Sequence, residues 1–157
     1  MKKIFLLVAL IATVFTQNIF AQEGTSEQPA SLLNIYYKLK DALVSSNSTI
    51  AAANAEALLK AINTSAKEVV PDDARAVLIK DANAISQSKD LKVQREKFAT
   101  LSNNIFELAK TVKLSTDPVY QQYCPMKKAT WLSNDKAIKN PYYGNAMLTC
   151  GSVKATL

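Results

Sequence analysis

Cys124, Met126, Met147 and Cys150 are the only cysteine and methionine residues after position 21, and their side chains set the chemistry open to this chain. They form two short pairs, Cys-Pro-Met and Met-Leu-Thr-Cys, separated by a Tyr- and Pro-rich stretch able to turn back on itself. In an extended strand Cys124 and Met126 share a face, and Met147 and Cys150 are one helical turn apart, so each pair can present two sulfurs to one point. Thiolate and thioether ligands without imidazole select a soft ion, Cu(I) first and Ag(I) as its analogue. Zn(II) would want more thiolate, His or carboxylate. Trp131 lies between the pairs and could flank a bound cation with its ring face. The more economical role for Trp131, Tyr123, Tyr142 and Tyr143 is to seal a small segment that has few aliphatic residues.

The same two cysteines admit a second reading. In an exported chain a Cys124–Cys150 disulfide would stabilise the fold by on the order of 3 kcal/mol in the chain-entropy model, with the methionines as packing. A reduced pair can bind metal and an oxidised pair cannot, so both readings stand on the sequence. Redox catalysis is disfavoured, because neither cysteine lies in a CxxC motif.

Composition removes most enzymes. The chain has 157 residues and no His, which excludes a Ser-His-Asp triad, HExxH zinc hydrolysis and His-ligated haem or copper sites. Its three Gly form neither GxGxxG nor GxxxxGK[ST], so no phosphate cradle is recognisable. Asp72-Asp73 reads as a helix start rather than an acid-base pair. We therefore expect a binding protein, not an enzyme.

The elements that must position the sulfurs follow from patterning. Lys2 and Lys3 precede an apolar run from Ile4 to Phe15 and then Ile19-Phe20-Ala21, the layout of a secretory signal over residues 1–21 cleaved after Ala21. The expected destination is the periplasm or the exterior, with no stable membrane insertion after cleavage. Residues 22–30 read as a flexible leader. Residues 31–116 are Ala- and Leu-rich with one Pro and no Gly, the composition of helices on short links. Leu32, Tyr36, Leu39 and Leu43 make one stripe; Ala51, Ala55, Leu58 and Ile62 make a second, with Ser48 as its cap. Leu78, Ala82 and Ile85 follow the Asp72-Asp73 start, and Ser88 and Asp90 open the longest segment, striped by Leu91, Phe98, Leu101, Ile105, Leu108 and Val112. The expected fold is mainly α, an antiparallel four-helix bundle with a C-terminal turn-rich or short-strand segment, residues 117–157, packed on it. Arg95 reads as a solvated side chain, or else as an anchor for that segment through a carboxylate.

Residues 117–157 hold five Lys against two Asp, whereas 22–116 hold 12 Lys and Arg against 11 Asp and Glu. Five scattered cations make a poor nucleic-acid footprint, so Lys127, Lys128, Lys136 and Lys139 read as a solvated face and no nucleic-acid partner is expected.

Tyr-Cys-Pro-Met at 123–126, Trp-Leu-Ser at 131–133, Asn-Pro-Tyr-Tyr-Gly at 140–144 and Met-Leu-Thr-Cys-Gly at 147–151 together resemble the C-terminal signature of a family of exported bacterial helical proteins classed as a domain of unknown function. Residues 37–44 and 94–102 are similar to that family's first and last helix motifs. The resemblance implies a helical domain found alone or fused to periplasmic adaptor subunits of copper and silver efflux pumps, with no established enzymatic activity. It points to Cys124, Met126, Met147 and Cys150 as the implicated residues, with Trp131 as a neighbour. It also suggests an efflux adaptor or another envelope protein as the partner.

Overall fold

A computed structural model describes residues 27–157; the expected signal segment and most of the leader lie outside the described residues. Helix α1 runs over Glu27–Val44, beginning four residues before the expected start of the helical region, followed by α2 over Ser48–Thr64, α3 over Asp72–Ser86 and α4 over Leu91–Thr111. The chain then forms strands β1 over Tyr120–Cys124 and β2 over Ala129–Ser133, a 3-10 turn over Gly144–Met147 and strand β3 over Ser152–Thr156. The protein is thus mainly helical with a small antiparallel sheet of order β2-β1-β3.

Each helix packs on its successor in the chain, and α1 meets α4 through the Tyr36 and Phe98 rings, stacked at 5.2 Å. The expected stripes are the core: Leu32, Tyr36, Leu39, Leu43, Ala51, Ala55, Leu58, Ile62, Leu78, Ala82, Ile85, Phe98, Leu101 and Ile105 are all fully buried. Among the described residues no helix is long and apolar enough to cross a membrane.

The helix ends refine the expectations. Asn47, not Ser48, caps α2, accepting from the Ile50 amide at 3.0 Å, while Ser48 is already helical. Asp90 caps α4 as expected, accepting from Lys92 at 2.8 Å. Helix α1 closes in a Schellman motif, in which the Asn47 amide donates to Ala42 and the Ser46 amide to Leu43, with Ser46 in the left-handed region at φ 56.

Arg95 is neither solvated nor paired with a carboxylate. It donates to the Leu43 carbonyl at 3.0 Å, the Ser46 hydroxyl at 2.9 Å and the Pro141 carbonyl at 2.9 Å, tying the end of α1 to the C-terminal segment. Partial burial lowers its pKa from the ordinary guanidinium value. Arg75 does the same at the end of α2, donating to the Ile62, Ser65 and Val70 carbonyls. In both cases a cation meets the free carbonyls at a helix C-terminus, the end its dipole favours.

The sheet lies with its β2 edge against α1 and α4. An edge strand leaves backbone groups without ladder partners, and two tyrosines supply them here. The Leu132 amide donates to the Tyr36 hydroxyl at 3.0 Å, and the Tyr142 hydroxyl donates to the Thr130 carbonyl. Tyr36 and the Ser102 hydroxyl are 2.7 Å apart, which completes a buried polar seam between helices and sheet. Burial drives the Tyr36 and Tyr142 hydroxyls well above the usual tyrosine range and pushes Tyr37 up to about 12.

Candidate metal centre

β1 delivers the first sulfur. Cys124 ends this central strand and is fully buried. The chain then turns through Pro125, Met126, Lys127 and Lys128 into β2. Within the turn the Lys127 amide donates to Cys124 Sγ at 3.4 Å. The turn closes with Lys128 in the left-handed region at φ 54, a conformation that costs a non-glycine residue on the order of 1–3 kcal/mol. Met126 stands 64 % exposed at the tip.

The second sulfur arrives from the other side of β1. The Tyr123–Ser152 register of β1 with β3 sets Cys150, two residues before Ser152, beside Cys124. Partial burial and this neighbour together raise the Cys150 pKa above the ordinary thiol value. Both cysteines are free thiols. Met147 closes the 3-10 turn, partly buried, and its carbonyl accepts from the Cys150 amide at 3.1 Å.

Two residues that the tail motifs contain, but to which the sequence assigned no role, hold this arrangement. Asn140 is fully buried; its Nδ2 donates to the Cys150 carbonyl at 2.8 Å while its Oδ1 accepts from the Tyr142 amide at 2.8 Å. Its own amide donates to the Leu148 carbonyl, and its carbonyl accepts from Gly144. The Asn-Pro dipeptide was a visible turn signal, and the Asx turn is what it encodes. Gly151 lets the chain pass under Trp131. A Cβ there would sit 2.9 Å from Trp131 Cη2 and 2.9 Å from the Tyr123 carbonyl oxygen.

Trp131 itself is fully buried, edge-on to Tyr142 at 5.9 Å, between that ring and Gly151. Opposite it in register is Gln122, whose Nε2 donates to the Asp135, Lys136 and Ala137 carbonyls at 2.8, 3.2 and 3.3 Å and so straps the 134–139 connection across the sheet. The structure thus brings the two thiols together from positions 26 residues apart. It sets Met126 on the adjoining turn tip, Met147 on the approach to Cys150, and Trp131 one residue's thickness behind Gly151.

Among the described residues no group of three or more His, Cys, Asp or Glu side chains converges. The sulfur donors of this segment are two free thiols and two thioethers, a set whose chemistry suits a soft monovalent ion better than a four-coordinate Zn(II). A separate cleft of about 500 Å³ lies between Lys113, Asp117 and Leu157, at the opposite end of the sheet from the sulfurs.

Residues 32–117 match a family described as protein of unknown function (DUF3347). The chain belongs to this family. The DUF3347 segment comprises most of α1, all of α2, α3 and α4, and the connection toward β1; the sheet and the sulfurs lie beyond it. No curated protein and no solved structure matches the chain. Within the segment, Gln94 and Arg95 are both interhelix ties, Gln94 Nε2 donating to the Ser48 and Ser88 carbonyls at 2.9 and 2.7 Å.

Proposed function

We propose that this DUF3347 protein is an exported soft-metal binding protein, an antiparallel four-helix bundle whose C-terminal sheet holds Cu(I), or Ag(I) as its analogue, on Cys124 and Cys150. The observation that carries this reading is the meeting of two free thiols, one receiving a backbone amide hydrogen bond and the other half-accessible. Each thiol gives up its proton and binds as thiolate. Met126 and Met147 serve as neutral thioether ligands that enter and leave during exchange, and Trp131 walls the site from behind. The role is binding and transfer without catalysis. Export is supported by the Lys2-Lys3 and Ile4–Phe15 pattern. The tail signature supports a link to copper and silver efflux, with an adaptor subunit or another envelope protein as recipient.

The thiol adjacency also favours a second reading, in which oxidation joins Cys124 to Cys150 and the protein is a structural or interaction module of the envelope. One experiment separates them. Thiols are counted on protein taken anaerobically from its native compartment, and the reduced protein is titrated with Cu(I) against a competing chelator. Two free thiols that Cu(I) protects, with binding lost in the Cys124→Ser, Cys150→Ser double variant, support the metal reading. Absence of free thiol in the native protein, or unchanged Cu(I) affinity in the double variant, overturns it.

A further inference from the structure

Four of the five lysines of the C-terminal segment are scattered in sequence but lie on pieces of chain that meet at the sulfur end of the sheet, whereas the fifth, Lys136, lies over the Tyr120 ring at the other end. Lys127 and Lys128 occupy the turn that follows Cys124. Lys154 extends over the Tyr123 ring, 5.3 Å from its centroid, one residue from Cys124. Lys139 sits between Ile138, which touches Gly151, and Asn140, which holds the Cys150 carbonyl. None of these four ammonium groups has a carboxylate within 4.0 Å among the described residues, although five other pairs of cation and carboxylate do meet. The two acidic residues of the segment lie at the far end. Asp135 follows Ser133, and Ser133 pairs with Tyr120, the opposite terminus of β1 from Cys124; Asp117 precedes Tyr120. Five strand residues span about 14 Å. That exceeds the Debye length of about 8 Å at physiological salt, so the positive field at the sulfur end is not cancelled by those two carboxylates.

We infer that the sulfur end of the sheet is a docking face for an acidic protein partner, which approaches over Lys127, Lys128, Lys139 and Lys154 and exchanges metal with the cysteine pair at the exposed Met126. This rests on the metal reading for its purpose, but not for its test. Complementary charge around a small contact raises encounter rates and orients partners while adding little to lasting affinity, which suits a protein that must release its cargo. The left-handed Lys128 and the exposed Met126 side by side on one turn place a cation and a soft ligand where a partner first touches.

The test uses the reduced full chain and two synthetic peptides, each with a Cys-x-x-Cys core, one flanked by four glutamates and one by four glutamines. Serine versions of both peptides probe docking on metal-free protein. The glutamate serine peptide should bind about tenfold more tightly than the glutamine one at low ionic strength, and the preference should vanish at about 0.5 M salt. The Lys128→Glu, Lys139→Glu, Lys154→Glu variant should lose the preference while keeping its helical signal and its Cu(I) affinity; Lys→Gln changes at the same positions should lose most of it. With Cu(I) loaded, transfer to the glutamate Cys-x-x-Cys peptide should be faster by a similar factor. Equal binding of the two serine peptides, or a preference that survives in the variants, overturns the inference. So does binding of metal-free protein to anionic phospholipid vesicles without preference between peptides, which would assign the lysines to a membrane surface. Failure to bind Cu(I) with the peptide preference intact removes the metal reading and leaves the docking face standing.

Discussion

Replacing Tyr36 by Phe removes one oxygen from the seam between helices and sheet, and the consequence can be worked through atom by atom. The ring keeps its stack on Phe98 at 5.2 Å, so little packing is lost. The Leu132 amide loses its acceptor at 3.0 Å and, being buried on the edge of β2, cannot turn to water. Ser102 loses its partner at 2.7 Å. One orphaned buried amide costs about 1–3 kcal/mol, so we expect the variant to be less stable by about 2 kcal/mol at pH 7. The difference should itself depend on pH. Burial raises the Tyr36 pKa far above 10 in the folded protein, whereas in the unfolded chain it ionises near 10. Above pH 10 the unfolded wild-type chain sheds a proton that the folded one keeps, so the stability Tyr36 contributes is whole below pH 10 and declines above it. Between pH 10 and 11 the gap between wild type and variant should narrow by about 1 kcal/mol. Trp131 is the only tryptophan and lies in β2, so urea melts followed by its emission report the sheet while far-ultraviolet circular dichroism reports the helices. A gap below about 0.5 kcal/mol at pH 7, or one that stays constant or widens above pH 10, would refute the role given to this hydroxyl.

Asn140→Ala strips the Cys150 carbonyl and the Tyr142 amide of their partners, and should cost about 2–4 kcal/mol in urea melts and speed the reaction of Cys150 with a disulfide reagent. Gly151→Ala drives a methyl group against Trp131 and against a backbone oxygen that cannot swing aside; we expect a loss of about 1–3 kcal/mol and a shift of Trp131 emission to longer wavelength. Asp81 is buried on α3, and desolvation raises its pKa even though Asn104 donates to it at 2.7 Å. Its ionised form therefore costs stability above the unfolded pKa of about 3.9, so Asp81→Asn should raise the melting temperature at pH 7 and lose that gain as pH falls below about 4.

How far the sequence could be read depends on how local each determinant is. The stripes of α1 to α4 were legible because a 3.6-residue period is written in neighbouring residues, and every stripe residue from Leu32 to Ile105 is buried where the spacing put it except Leu91, which is partly buried at the start of α4. The α2 cap was displaced by one position because Asn47 and Ser48 are both competent caps; geometry at the end of α1 decides between them. Arg95 could not be placed, since its partners are three groups of α1, the turn after it and Pro141, two of them backbone oxygens that no residue type announces. Short strands were expected within residues 117–157, but their bounds and pairing were illegible for a related reason. β1 reads Tyr-Gln-Gln-Tyr-Cys, with a buried polar Gln122 where an apolar residue would mark the face, and its ladder to β3 joins Tyr120 to Thr156 across 36 positions. The sulfur types were plain, but what unites them is that distant ladder together with Asn140. The thiol pair is therefore not an appendage that tolerates change in the helices. Tyr36 holds β2, β2 is paired to β1, and β1 ends in Cys124. A substitution in α1, 88 residues from Cys124, acts on the spacing of the two sulfurs through one side-chain hydrogen bond and two strand ladders, β2 with β1 and β1 with β3. If the thiol pair holds Cu(I) as proposed, the Cu(I) affinity of the Tyr36→Phe protein should for that reason fall together with its sheet stability and not independently of it.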